Sequence, residues 1–213
     1  DWSSDVCSSD LVGVFAIGMI MSAYATLDRD INYSYASVNP PNIEMWTSSF
    51  DDGLVRSLRK VEGVEDVAGH YSMDVRASLG DENPQNLKLL GFSEFDGEIN
   101  HLAPIKGTVY PEDGEILISQ DMVHISGFRV GDVINIKLPD ESTHELTVAG
   151  LVTDQLTAKP DPDTTNQAYV TMKTLHSFGL GHIYNHLYIT VEGEGSDNEL
   201  IANVTLAVEE KIE

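Results

Sequence analysis

Basic residues are scarce in this chain: 12 Lys and Arg stand against 35 Asp and Glu in 213 residues, a formal net charge of -23. A surface of that sign repels phosphate backbones and anionic headgroups, which argues against nucleic-acid binding and against a peripheral role on a membrane surface. Its ordinary consequence is solubility, not a dedicated cation site. Cysteine is scarcer still, since Cys7 is the only one. Several catalytic signatures are missing altogether. There is no G-x-x-x-x-G-K-[ST] loop for a nucleotide, no G-x-S-x-G nucleophile elbow and no H-E-x-x-H zinc helix. Internal repeats and low-complexity tracts are absent too. What remains is 41% hydrophobic and 22% charged, ordinary for a globular chain long enough for one sizeable domain or two small ones.

Residues 1–11, DWSSDVCSSDL, resemble the in-frame translation of a common short-read sequencing adapter joined to a coding sequence. Without Asp1, Asp5 and Asp10 the charge moves from -23 to -20, and Cys7 leaves with them. Disulfide and thiol chemistry then drop out, as suits an exported bacterial domain but also many cytosolic proteins.

The 17 residues 11–27, LVGVFAIGMIMSAYATL, carry no charge. At about 1.5 Å per residue they make roughly 25 Å of helix, just short of a bilayer core of about 30 Å. A few more apolar residues upstream would complete a span, and Gly13, Gly18, Ser22 and Ala23 are spaced for close helix contacts in lipid. A signal-peptide core and a buried helix are the rival readings, and Ala23 with Ala25 supplies a small-x-small cleavage pattern for the former. Only Arg29 is basic in the polar segment that follows, which places that side outside the cytoplasm. Tyr33 and Tyr35 read as alternate residues of a strand or as interface markers.

Beyond this point the pattern alternates between α and β. Ser49 or Asp51 is placed to cap a helix over residues 51–61, with Leu54, Val55, Leu58 and Val61 on one face and Gly63 as the stop. VEDVAGHYSMDVRASLG and PQNLKLLGFSEF read as strands around the turn GDENP. Residues 100–107 suggest a short helical turn. GEILI is a strand and QDMVHI a short helix closed by Gly127. FRVGDVINIKL and HELTVAGLV alternate around PDEST, giving a small antiparallel sheet or barrel-like subdomain. TDQLTAKPDPDTTNQ reads as a loop, AYVT as a strand, MKTLHSF as a helix and HLYITVE as a strand. Ser196 with Glu199 forms a capping box for a last helix built on Leu200, Ile201, Val204, Val208 and Ile212.

Few residues suggest site chemistry. His182 and His186 have i, i+4 spacing with His176 close by, yet Gly179, Gly181 and Asn185 break the helix that zinc ligands would need, so a loop or strand-edge role is expected. Asp161, Asp163, Thr164 and Asn166 lack the Gly and distant Glu of a calcium loop. Asn32 and Asn203 begin N-x-[ST] triplets, which matter only in a glycosylating pathway. Paired carboxylates follow from composition and point to no glycosidase. The residues therefore assign no catalytic, cofactor-binding or metal-binding position.

The opening apolar run, DDGLVRSLRKVEGVEDV, GEILISQ and GFRVGDVINIKLPDESTHELTVAGLVTD, in that order and spacing, resemble the first span and periplasmic core domain of FtsX-like, MacB-type ABC transporter permeases. The likeness covers nearly everything after residue 11. It implies an α+β fold in which a transmembrane helix, residues 12–28, precedes a MacB-like periplasmic core domain. A split α/β base subdomain, residues 29–95 and 185–213, would carry an inserted β-rich subdomain, residues 96–184. It implies residence in the bacterial inner membrane with residues after about 28 extracytoplasmic. The implied partners are a cytoplasmic ABC ATPase, a second permease chain (homo- or heterodimer) and membrane lipid, with no nucleic acid. Hydrolysis would belong to the ATPase, leaving this chain no enzyme and no cofactor. Export, lipoprotein release and cell-wall regulation all fit that frame. The sequence ends before further spans, and a fragment is expected. The competing class is a single-pass, membrane-tethered extracytoplasmic binding domain unrelated to transport.

Overall fold

The computed structural model describes residues 38–80, 82–97, 99–154, 156, 166–193 and 197–212. The apolar run, Tyr33, Tyr35, Asp161, Asp163 and Thr164 lie outside them. Among the described residues nine strands and four helices follow one another as β1 (Ile43–Phe50), α1 (Asp52–Leu58), β2 (Val64–Leu79), β3 (Glu82–Phe92), β4 (Ala103–Gly107), β5 (Glu115–Ser119), α2 (Gln120–Ser126), β6 (Val133–Lys137), β7 (Thr143–Thr153), β8 (Asn166–Thr171), α3 (Met172–Ser177), β9 (Tyr184–Val191) and α4 (Asn198–Ile212).

The strands hydrogen-bond in the order β1-β9-β2-β3-β8-β5-β7-β4, with β6 joining β7 to β2. That last pairing closes β2, β3, β8, β5, β7 and β6 into a six-stranded barrel. Alternate residues Val75, Leu87, Leu89, Ile116, Ile118, Ile134, Ile136, Leu146 and Val148 point inward and are buried, and Met122, Phe128, Met172 and Leu175 join the same core. The two strands around PDEST, β6 and β7, pair antiparallel and lie in this barrel, whose sheet is mixed because β3 with β8 and β5 with β7 run parallel. At its other end β2 leaves the barrel, and β1, β9 and β2 form an antiparallel layer against α1 and α4. Val55, Leu58, Val67, Leu187, Ile189, Val204 and Val208 make the core there. A third core, with Leu90, Phe92, Leu102, Leu117, Val152 and Tyr169, lies on the opposite side of the sheet.

Local chemistry explains the boundaries. Asp51 caps α1, its Oδ1 accepting from Gly53 N at 2.7 Å. The helix stops at Leu58, earlier than the apolar spacing suggests, because Lys60 and Val61 donate to Ser57 and Leu58 three residues back. Gly63 then turns with φ 86°, and a Cβ there would stand 2.8 Å from Val204 Cγ2 on α4. Leu79 pairs with Glu82, so β3 already begins within the stretch GDENP that the sequence reads as a turn. Residues 103–107 are strand, not helical turn: Asn100 at φ 56° and Pro104 are poor helix formers, and Asn100 and His101 donate to Asn39 O and Val38 O. The cap of α4 is Asp197, whose Oδ1 accepts from Glu199 N and Leu200 N at 3.0 and 3.2 Å. A carboxylate at that end also meets the positive pole of the helix. Ser196, expected as the cap, is outside the described residues.

Candidate functional site

Two regions of the base-side sheet concentrate polar chemistry. The first is a cavity of about 670 Å³ beside α1, lined by Asp52, Arg56, Arg59, Asp66, Glu94 and Asp96 among others. It forms because β3 ends opposite His70, the last paired residue on that side, leaving residues 64–69 of β2 with β9 as their strand neighbour. The open edge is sealed by side chains. Arg59 Nη2 donates to Val67 O at 2.9 Å, Arg59 Nε to Asp66 Oδ1 at 2.8 Å, and Val67 N to the same carboxylate at 2.7 Å. A sealed edge does not template another strand. Tyr184 lines the cavity too and donates to Asp52 Oδ1 at 2.8 Å; burial and the neighbouring carboxylate push its phenol up to about 12.

The second region is a histidine and aromatic group on the sheet face away from α1 and α4. His70 on β2 pairs directly with His186 on β9, and their rings are 6.4 Å apart. They are 2% and 1% exposed. His186 Nε2 lies 2.7 Å from Glu44 Oε1, and its ring stacks on Trp46 at 3.7 Å. Lys88 Nζ sits 4.8 Å from the Trp46 ring centroid, and Trp46 itself is 53% exposed. His70 contacts Phe92 and Tyr188 at 4.2 and 4.7 Å. Neither nitrogen of His70, nor Nδ1 of His186, has a hydrogen-bond partner among the described residues. Burial, followed by the proximity of His186, depresses His70 to about 3. Glu44 is held below the usual carboxylate range by its bond to His186. Tyr188 is pushed up by burial and then by the charges of Asp154 and Glu44.

Asp154, where β7 ends, is also buried. It accepts from Tyr169 OH at 2.7 Å, Leu156 N at 2.9 Å and Asn100 Nδ2 at 3.4 Å, yet burial dominates and raises its pKa. At the barrel's far side the β6–β7 hairpin carries Glu141 at φ 70°, bound by Arg76 at 3.0 Å and by Lys137.

The three histidines noted in the sequence do not converge. His176 and His182 touch, with ring centroids 3.5 Å apart, while the ring contacts of His186 are Trp46, His70 and Tyr188. Asn166 begins β8. Among the described residues no three of His, Cys, Asp and Glu are grouped to hold a metal. Sequence reasoning missed His70 and Glu44, which stand far from His186 in the chain. The available signal was a histidine inside each of two apolar strand patterns, VAGHYSMDV and NHLYITV.

The architecture is thus a closed mixed barrel continuous with a three-stranded, two-helix layer. The chain belongs to the family described as the MacB-like periplasmic core domain, whose sequence profile matches residues 11–207. Two solved structures share the fold. The extracellular domain of the noncanonic ABC-type transporter YknZ from Gram-positive bacteria superposes with a TM-score of 0.53 at 15% identity, covering 74% of this chain and 86% of that one. The periplasmic region of MacB from Actinobacillus actinomycetemcomitans gives 0.53 at 13% identity, over 79% and 76%. No curated protein matches the chain.

Proposed function

We propose that this chain is the extracytoplasmic domain of an ABC transporter permease subunit. Residues 12–28 are its first membrane span, and the domain passes ATP-driven motion to a substrate or partner. Hydrolysis belongs to a separate cytoplasmic ATPase, and the working unit pairs two permease chains in the bacterial inner membrane. Residues 29–95 and 185–213 act as the base and residues 96–184 as the insert. The coupling surfaces are α1 and the segment 127–154.

The observation that carries the reading, beyond family membership, is β2. Its 16 residues run unbroken from the layer packed on α1 into the barrel wall. Such a strand transmits displacement as a continuous strut, tied to β9 over residues 64–70, to β3 over 70–79 and to β6 over 76–78. A second reading, a membrane-tethered binding domain, is favoured by the polar 670 Å³ cavity beside α1. The test is to purify the native permease from membranes and to label Lys60→Cys, in a Cys7→Ser background, from outside intact cells. Labelling from outside together with co-purification of an ATPase supports the permease reading. Outside labelling with no ATPase, under conditions that retain detergent-stable complexes, replaces it with the tethered binding domain.

A further inference from the structure

The cavity and the histidine group share one residue. His70 lines the cavity together with Ser93, Glu94, Asp96, Gly97 and Ile99 of the segment that follows β3, yet its ring is 98% withdrawn from solvent and unpartnered among the described residues. That segment is fastened at its far end by Asn100 N donating to Asn39 O at 2.9 Å and His101 N to Val38 O at 2.8 Å. We propose that His70 operates a proton-linked opening of this end of the domain, in which the segment after β3 lifts from β2 and releases its hold on residues 38–39 while the barrel stays closed. The device rests on the fold described above and not on the transport reading.

The geometry gives the direction. From β9, His186 and Tyr188 face the ring; from β1, Glu44 is engaged with His186; from β3, Lys88 lies over Trp46; beyond them stands Asp154. No carboxylate among the described residues bonds His70, so its imidazolium has no counter-ion in the closed state. Lifting the segment exposes the ring to solvent in a cavity whose wall carries four carboxylates, Asp52, Asp66, Glu94 and Asp96, against the two guanidiniums of Arg56 and Arg59. Opening therefore takes up one proton at His70, and acid favours it. Residues 38–39 receive the consequence because they lead directly into β1, the edge strand that only β9 holds. Beyond residue 70, where β2 enters the barrel wall, the barrel holds no buried histidine of this kind among the described residues.

Native-state hydrogen exchange on the full chain in detergent tests this. The opening constants of the Asn100 and His101 amides are measured between pH 6.5 and 4 and corrected for intrinsic exchange. The ratio of wild type to His70→Phe, and to His70→Gln as a second non-titrating variant, is expected to rise up to tenfold per pH unit. Taking the ratio removes the contribution of Asp154, whose raised pKa acts in the opposite sense. The Gly131 amide, bonded to Val148 O in the barrel, is expected to show a flat ratio. A flat ratio at Asn100 and His101, or an equal rise at Gly131, overturns the proposal.

Discussion

Arg59 and Asp66 together close the stretch of β2, residues 64–69, that has β9 alone beside it. The guanidinium reaches Asp66 Oδ1 at 2.8 Å and Val67 O at 2.9 Å, so the backbone is covered by a side chain from the turn after α1. The pair is half-exposed, at 50% and 33%, and its Coulomb energy is worth under about 1 kcal/mol. The consequence of removing it is association more than unfolding. Arg59→Ala with Asp66→Ala is expected to leave the urea midpoint nearly unchanged and to increase self-association in sedimentation velocity through the uncovered edge. An unchanged sedimentation profile at high protein concentration would count against the edge account.

Acid stability carries a sign fixed by His70. Its folded-state pKa, about 3, lies below the ordinary histidine value near 6.5. The folded form therefore prefers the neutral ring. Stability is complete above about pH 6.5 and declines as pH falls toward 3, where the loss levels off. Between pH 6.5 and 5 this amounts to at most about 2 kcal/mol. His70→Phe is expected to flatten the decline, read as urea midpoints at pH 7, 6 and 5.

Asp154 works the other way. A carboxyl whose folded pKa is raised is most favourable to the fold when protonated, and its contribution is lost as pH rises through the folded pKa. Asp154→Asn keeps an acceptor for Tyr169 OH and removes a buried charge. The variant is expected to match or exceed wild type by up to about 1 kcal/mol at pH 8 and to lose that advantage near pH 4. Chemical denaturation at the two pH values checks it; an advantage larger at pH 4 would contradict it.

Gly63 joins the end of α1 to α4. Its φ of 86° disfavours any side chain, and a Cβ would press on Val204 Cγ2 and Leu200 Cδ1. Gly63→Ala is expected to cost about 2 kcal/mol or more in thermal or urea unfolding, against a few tenths for Gly181→Ala, whose surroundings are open.

Much of the fold was legible because alternation is a local signal. FRVGDVINIKL and HLYITVE gave β6 and β9, Asp51 gave the cap of α1, and Gly127 at φ 73° gave the end of α2. Pairing was not legible. That β8 lies parallel to β3, and that β6 closes the barrel onto β2, depends on packing between segments distant in sequence. Residues 100–107 misled because a Pro and two positive-φ residues suit a turn as well as a bulged edge strand. Asp197 escaped the capping-box reading, yet its carboxylate serves two amides of the first turn of α4. The polar group at His70 needed strand order β1-β9-β2 before Glu44, His186 and His70 could be seen as neighbours.

The central claim is that the domain moves with nucleotide. Spin labels at Lys60→Cys on the turn after α1 and at Val133→Cys on β6, in a Cys7→Ser background, would report distances between paired chains of the native permease reconstituted with its ATPase. The account predicts that at least one inter-chain distance distribution shifts by several ångströms on trapping ATP, comparable with known rigid-body transitions. Identical distributions in apo and ATP-trapped states, with hydrolysis intact, would contradict it.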